Sequence, residues 1–311
     1  MAIPPAYMGY VGFVRINTFG IRCTSCELKL TQTIDKPDVI SGKYDKTVYK
    51  LGPKEVGGTI GFPAVMEAVG GAAASTDLIP VLWDLAFTRS NNGYLTKFYT
   101  EVKYTSDYAT FLFNECVINT FKWSVTQGDL INVEIDVIGR NREAASATEP
   151  FYTNRNARAM TWNDARVDIY DKNSQLMIDG SWIRSFEANV NNNVDRFYTL
   201  NGTLAPQDIA PKLRDITGSI VIMGRHPTLA ELAVTNQTRC YEDSKIHFGY
   251  FVAGTCNANF GIKLPGTVFE IETMSLRNDL MESTMNWHSL PGSKFTATGG
   301  PDAVNFVEDF V

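Results

Sequence analysis

Three sets of residues in this 311-residue chain are of types that could do chemistry. They are the thiols Cys23 and Cys26, the histidines His226, His247 and His288, and the glycine-rich run GGTIGFPAVMEAVGG from Gly57 to Gly71. A C-x-x-C pair holds structural zinc when a second pair completes the tetrahedron. Cys240 and Cys256, sixteen residues apart, supply no such pair. A redox pair needs a strand-to-helix setting, whereas "CTSC" lies on or beside a strand. The histidines fall on one helix start and two strands, with no His-x3-His or Glu-x-x-His spacing. The glycine run lacks the Lys-Ser/Thr of a phosphate-binding loop, so its glycines read as a bend. Trp83, Trp123, Trp162, Trp182 and Trp287 could stack bases or sugars, but strand alternation makes core or subunit contacts their better home. The sequence therefore proposes no catalytic residue, no metal ligand and no cofactor.

Composition points the same way. A net charge of −6 with 44% hydrophobic residues is ordinary globular material. No basic patch stands ready to grip nucleic acid through its phosphates. The five cysteines read as reduced thiols rather than a disulfide framework. The N-terminus has two early prolines and no basic stretch before an apolar run, so it does not read as a signal peptide. No run reaches the ~18 apolar residues that span a bilayer, and no membrane partner is expected.

The informative signal lies in the elements themselves. Sliding the chain against itself by 160 residues, without gaps, pairs residues 21–62 with 181–222. Glu27 falls on Glu187, Asp35 on Asp195, Gly42 on Gly202 and Gly58 on Gly218. Each copy opens and closes on a strand and is interrupted by an insertion of equal length, Asp35–Glu55 or Asp195–Asp215, with no strand or helix period. A helix follows each copy: one after Ser75 and Thr76, with Leu78, Leu82 and Leu85 at near-helical spacing, the other from Pro227, with Leu229 and Leu232. Strands come next. "LINVEIDVIG" alternates Ile131, Val133, Ile135 and Val137 inward with Asn132, Glu134 and Asp136 outward. The "GDL" turn at Gly128–Leu130 has a counterpart in "NDL" at Asn278–Leu280. The expectation is one β-domain built twice, over residues 1–140 and 161–290, with a linker at 141–160 and a tail at 291–311.

Two segments give this architecture a family likeness. "IRSFEANVNNNVDRFYTLNGTLAPQDIAPKLRDITGSIVIMG" resembles the strand, long loop and "tG-x-i" strand of bacteriophage tail tube (major tail) proteins. "INTFKWSVTQGDLINVEIDVIGR" resembles the paired strands of the same family. The resemblance implies an all-β fold with minor α: two tandem tube-like β-sandwich or barrel domains, each with one flanking helix and a long stacking loop. It also implies a structural virion protein rather than an enzyme. Stacked rings would form a hollow tail tube through which double-stranded DNA passes into the host without specific binding.

Carried onto this chain, the resemblance makes the loops, N-terminal region and C-terminal tail the contacts between subunits and rings. The loop candidates are Asp35, Lys43, Tyr44, Lys50, Lys54, Glu55, Asp195, Arg196, Tyr198, Asp208, Lys212, Arg214 and Asp215. Glu134, Asp136, Glu270 and Glu272 are candidates for an acidic lumen lining along which DNA slides, although the same carboxylates could simply face outer solvent. Implied partners are further copies of the chain and the other tail proteins (tape measure, terminator, tip or baseplate). Two tube-like halves in one chain favour trimeric, pseudo-hexameric rings, with a true hexamer as the alternative. Assembly is expected in the host cytoplasm and residence in the virion tail. The rival readings are the inner tube of a contractile injection device and, more distantly, a β-sandwich adhesin or carbohydrate-binding module.

Overall fold

A computed structural model of the chain describes residues 13–35, 50–66, 78–90, 92–103, 110–145, 158–170, 176–178, 180–224, 245–251, 258–264, 267–270, 273–277 and 280–289. The first half supplies β1 (Phe13–Ile16), β2 (Phe19–Ile21), β3 (Ser25–Cys26), β4 (Lys29–Asp35), β5 (Lys50–Pro63), β6 (Val65–Met66), α1 (Leu78–Phe87), β7 (Phe98–Lys103), β8 (Thr110–Thr126), β9 (Asn132–Gly139) and β10 (Asn141–Ala145). They form two sheets that share one strand. One runs β2-β1-β7-β8, and the other runs β4-β5-β9-β8 with β3 also on β5. The N-terminal part of β8 pairs with β7 up to Cys116, and the part from Val117 onward pairs with β9. Just before this switch Glu115 is left-handed, with φ 50°, at a bulge in the β7–β8 pairing that re-aims a long strand from one sheet to the next. The apolar stripe of α1 (Ile79, Leu82, Trp83, Ala86) is buried, and the Trp83 ring meets Phe121 of β8 edge-on at 5.5 Å.

The second half supplies β11 (Arg158–Ala159), β12 (Ala165–Tyr170), β13 (Leu176–Ile178), β14 (Ile183–Asn191), β15 (Asp195–Phe197), β16 (Asp208–Ala210), β17 (Asp215–Met223), β18 (Lys245–Phe251), β19 (Ala258–Leu264), β20 (Thr267–Phe269), β21 (Thr273–Arg277) and β22 (Leu280–Ser289). Its sheets run β13-β12-β18-β19 and β14-β17-β22, with β20 and β21 both on β22. That is the order of the first half. The likeness extends to register. Leu30 stands opposite Val56 in β4–β5, and Val190 stands opposite Ile216 in β14–β17. Ile60 stands opposite Ile135 in β5–β9, and Ile220 opposite Met285 in β17–β22.

Gly58 and Gly218 explain why the offset of 160 preserves a glycine. A Cβ on Gly58, whose φ is +152°, would lie 2.3 Å from the carbonyl oxygen of Glu27. On Gly218 it would lie 2.0 Å from the carbonyl oxygen of Glu187 and 2.3 Å from the Trp287 ring. Backbone meets backbone at matching places, and only hydrogen fits.

The halves join through β8 and β14, which pair antiparallel over seven residue pairs from Ser185 opposite Thr126 to Asn191 opposite Thr120. One sheet thus crosses both halves in the order β4-β5-β9-β8-β14-β17-β22, with β20 and β21 on the far edge. Its inner rows are apolar: Ile60, Ile135, Phe121 and Val190 in one, Phe62, Val133, Trp123 and Ala188 in the next, and all are buried.

The fold is all-β, with one α-helix among the described residues. Its sheets stay open, so the barrel half of the sandwich-or-barrel expectation is corrected: the edge strands β4 and β21 do not pair with each other. The second expected helix, after Pro227, lies outside the described residues, as do Ser75, Thr76 and residues 291–311. The stretch read as linker is strand at both described ends, β10 on β8 and β11 on β6, with Met160 fully buried beside them.

Gly218→Ala and Gly58→Ala should each destabilise the protein by about 3 kcal/mol, the upper range for overpacking a close contact. Denaturant midpoints measure this, and an Ala variant at either site that unfolds with the parent would refute the tight approach.

Candidate functional site

Two surfaces carry the residues singled out by sequence: the second long loop and the polar face of the joined sheet. The loop from Asn192 to Arg214 departs from expectation in containing a short ribbon, β15 against β16, and it is seated on the first half of its own chain. Arg196 Nη2 donates to Val56 O at 2.6 Å, Tyr198 Oη to Lys54 O at 3.2 Å, and Lys54 N to Leu204 O at 2.7 Å. Arg140 Nε donates to Pro206 O at 2.9 Å. Beneath the ribbon, Ile209 and Val194 pack with Leu95, Val117 and Ile138 in a small apolar cluster. The loop therefore lies across the middle of β8 at Val117, the end of β9 at Ile138 and the middle of β5 at Lys54 and Val56.

Its root is polar and buried. Asn192 is fully buried; its Nδ2 donates to Ala86 O at 2.9 Å and Ile118 O at 3.0 Å, and its Oδ1 accepts from Arg214 Nε at 2.9 Å. Arg214 Nη2 also donates to Phe87 O at 2.8 Å, so a cation caps the C-terminal carbonyls of α1. Burial, with the nearby charge of Arg89, brings the Arg214 pKa down to about 10.

The remaining loop candidates divide as follows. Asp195 pairs with Lys212 at 2.8 Å, and Asp215 accepts from Asn193 at 2.7 Å. Asp208 pairs with Lys97 at 3.2 Å, and Lys97 also meets Glu115 at 3.1 Å, which Arg140 contacts at 2.6 Å. Lys50, Lys54 and Glu55 belong to strand β5 rather than to a loop, and Asp35 ends β4. Lys43 and Tyr44 lie outside the described residues. Pointing away from the chain are Leu200 and Leu213, 109% and 86% exposed, with Phe197 and Tyr198 half-exposed near the tip. Of this fringe the sequence reading named Tyr198 and passed over Leu200, Leu213 and Phe197.

The polar face is the other side of the joined sheet. Glu134 and Asp136 alternate with buried Val133, Ile135 and Val137. Across the strands their rows continue through Lys122, Asn189, Thr217 and His288, and through Thr120 and Asn191. Lys122 is paired with Glu187 at 3.0 Å across the β8–β14 seam. Asp136 accepts from Asn119 Nδ2 at 2.9 Å, and burial raises its pKa against that hydrogen bond and the Arg196 charge. Glu270 lies 2.8 Å from His288 Nε2, and the hydrogen bonds from His288 and Asn286 hold its pKa low. Three of the four lumen candidates thus fall on one continuous polar surface; Glu272 lies outside the described residues. Cys23 and Cys26 are part-buried, and burial raises both thiols, Cys26 to about 11. Neither is a thiolate near neutral pH.

The charged clasp sets a pH dependence. Burial raises the carboxyls of Glu115 and Asp208, but hydrogen bonds and charge from Arg140 and Lys97 outweigh it for Glu115. For Asp208, the backbone of Ile209 and Lys97 do the same, so both values are depressed. A depressed carboxyl stabilises fully above its unfolded value and loses that contribution as pH falls through the folded one. Hydrogen exchange of amides 195–210, corrected for intrinsic rate, should therefore speed up several-fold on acidification below the usual carboxylate range. Lys97→Ala should remove much of that response, and an unchanged pH profile would show that the clasp does not hold the loop.

No curated protein matches this chain. A family model described as phage tail tube protein matches residues 4–271. That span takes in β4–β5, β14–β17, the β8–β14 seam and the loop seated on the first half, and stops short of β21 and β22; the chain belongs to the phage tail tube protein family.

Proposed function

We propose that copies of this structural tail protein close into rings that stack into a hollow tube, with the polar face of the joined sheet turned to the lumen and double-stranded DNA passing along it. The observation that carries this reading is the single sheet crossing both halves, one side mainly apolar, with Ser283 and Ser289 as buried exceptions, and the other polar from β5 to β22. A duplex sliding past Lys and Arg would release counterions at each phosphate and be held. Here Lys122 is neutralised by Glu187, while Glu134 and Asp136 keep the face acidic, as a conduit requires.

The matched strand order and register of the halves favour an internal duplication. Three chains would then make a pseudo-six-fold ring, each half taking one position; six chains, with one half outside, is the alternative. Heterologous contacts of this kind close when the rotation between units divides a full turn. The segment between β4 and β5 and the loop Asp195–Asp215 meet neighbouring subunits and the next ring, the second through its exposed Leu200, Leu213 and Phe197. Assembly takes place in the host cytoplasm, together with the other tail proteins.

Electron microscopy of the concentrated protein should show stacked rings or hollow filaments, alone or with the tail-tip proteins as initiator. A monodisperse monomer under all these conditions would overturn the proposal. Glu134→Lys combined with Glu187→Lys should leave tubes intact but slow genome ejection, more so at low salt. Unchanged ejection through such tubes would remove the electrostatic part of the reading.

A further inference from the structure

The tip of the second loop carries an amide set up to react with its own main chain. Residues 199–205 stand on a base pinned from both sides. Gln207 N donates to Phe197 O and Lys54 N to Leu204 O, each at 2.7 Å, and Arg140 Nε holds Pro206 O. The tip is exposed without being free. Asn201, Gly202 and Thr203 all face solvent, and Gly202 is left-handed, with φ +79° and open space where a Cβ would stand. Its N–H makes no hydrogen bond among the described residues. An Asn followed by Gly cyclises readily, because no Cβ shields the main-chain nitrogen that attacks. The Asn201 amide is held for that attack. Its Oδ1 accepts from Thr203 N at 3.1 Å and from Thr203 Oγ1 at 2.7 Å, and its Nδ2 donates to Gln207 Oε1 at 2.9 Å. Thr203 Oγ1 has a second acceptor in Ala205 O, but at 3.4 Å. Donors on a carbonyl oxygen stabilise the negative charge that forms there when a nucleophile adds. Asparagines at the loop root lack this arrangement. Asn192 is buried with its amide committed to Ala86 O, Ile118 O and Arg214, while Asn193 and Asn119 are followed by the β-branched Val194 and Thr120.

We propose that Asn201 is a self-modifying site: in the free chain it closes on Gly202 N to a succinimide and opens to aspartate or isoaspartate, and ring stacking arrests the change. The steps balance without an oxidant or a cofactor. Gly202 N gives its proton to solvent base and bonds to Asn201 Cγ, and the oxyanion on Oδ1 rests on Thr203 N and Oγ1. The Cγ–Nδ2 bond then breaks, and the nitrogen leaves as ammonia after taking a proton from water. Water opens the five-membered ring at either carbonyl. In sum, one water is consumed and one ammonia released. The product places a carboxylate where an amide donated to Gln207, and the isoaspartyl form adds a methylene to the main chain beside the fully exposed Leu200. The arrest rests on the ring reading above. A neighbour covering Leu200 and the tip would exclude solvent base and hold Gly202 against the rotation that cyclisation needs.

Peptide mass spectrometry of the full chain, incubated free and as tubes in warm, mildly alkaline buffer, tests this. Fragmentation assigns the position, because Asn92–Gly93 is a second Asn-Gly pair, and labelling by isoaspartyl methyltransferase reports the rearranged product. The free chain is expected to convert at Asn201 at least tenfold faster than at Asn119, Asn192 or Asn193. Thr203→Ala should slow that conversion several-fold and Thr203→Ser restore it, while Gly202→Ala slows it most. A tip that reacted only by unfolding would convert as fast or faster in Thr203→Ala. That result, or an Asn201 that keeps its amide in the free chain, overturns the site. Tubes should convert several-fold more slowly than free chains; equal rates overturn the arrest and leave the tube reading standing. If no tubes form, the ring reading fails and the arrest with it, while the free-chain rates still decide the chemistry.

Discussion

One buried amide holds this structure together at the place where its two halves meet. Asn192 follows the last residue of β14, lies wholly out of water, and spends its side chain on three backbone or charged partners: the end of α1, the middle of β8 and the guanidinium of Arg214. A buried polar group without partners costs on the order of 1–3 kcal/mol, so each of these elements must be where it is for the others to be tolerated. The constraint is reciprocal. The helix needs a cap for its last carbonyls, the long loop needs a fixed root, and β14 must stop where the loop begins. Residues from three distant parts of the sequence therefore agree on one geometry, and the seam between β8 and β14 is placed by it.

From that root the loop runs over the strands instead of into solvent. Its ribbon buries Ile209 and Val194 on the first half, and its backbone pairs with Lys54 where β9 has already ended. The charged residues that looked free in the sequence, Arg196, Asp208 and Arg214, are committed within the chain. Leucines and aromatics stay exposed at the fringe, alongside Asp195, Lys212 and Asp215. The charges hold the loop, and its outward fringe is partly apolar.

Much of the fold could be read from the residues, because two hairpins of matching register leave a ruler in the sequence. Glu27, Gly58, Glu187 and Gly218 kept their spacing, and the structure shows why: a glycine must pass under a glutamate carbonyl in each copy. The alternation of Val133, Ile135 and Val137 with Glu134 and Asp136 likewise fixed which side is polar. Other features left no such mark. The second loop carries no period because its order comes from packing on distant strands, with Arg140 on Pro206 and Lys97 on Asp208. The break of β8 at Glu115 is a single left-handed residue of a type that rarely announces one. The strand at Asn141–Ala145 was hidden in a segment rich in Ala, Asn and Arg, where only the free edge of β8 supplies a partner.

Because β8 and β14 belong to the same polypeptide, their junction forms without loss of translational freedom. Association between separate proteins costs an estimated 4–15 kcal/mol on that account; here the tether removes the cost for one junction in every chain. A seam formed during folding is also independent of protein concentration, whereas one formed between chains strengthens as concentration rises. The covalent link makes this protein a prepaid pair, able to survive dilution that would separate two single-unit subunits. Under tension along the sheet, the intrachain junction would re-form in place after opening.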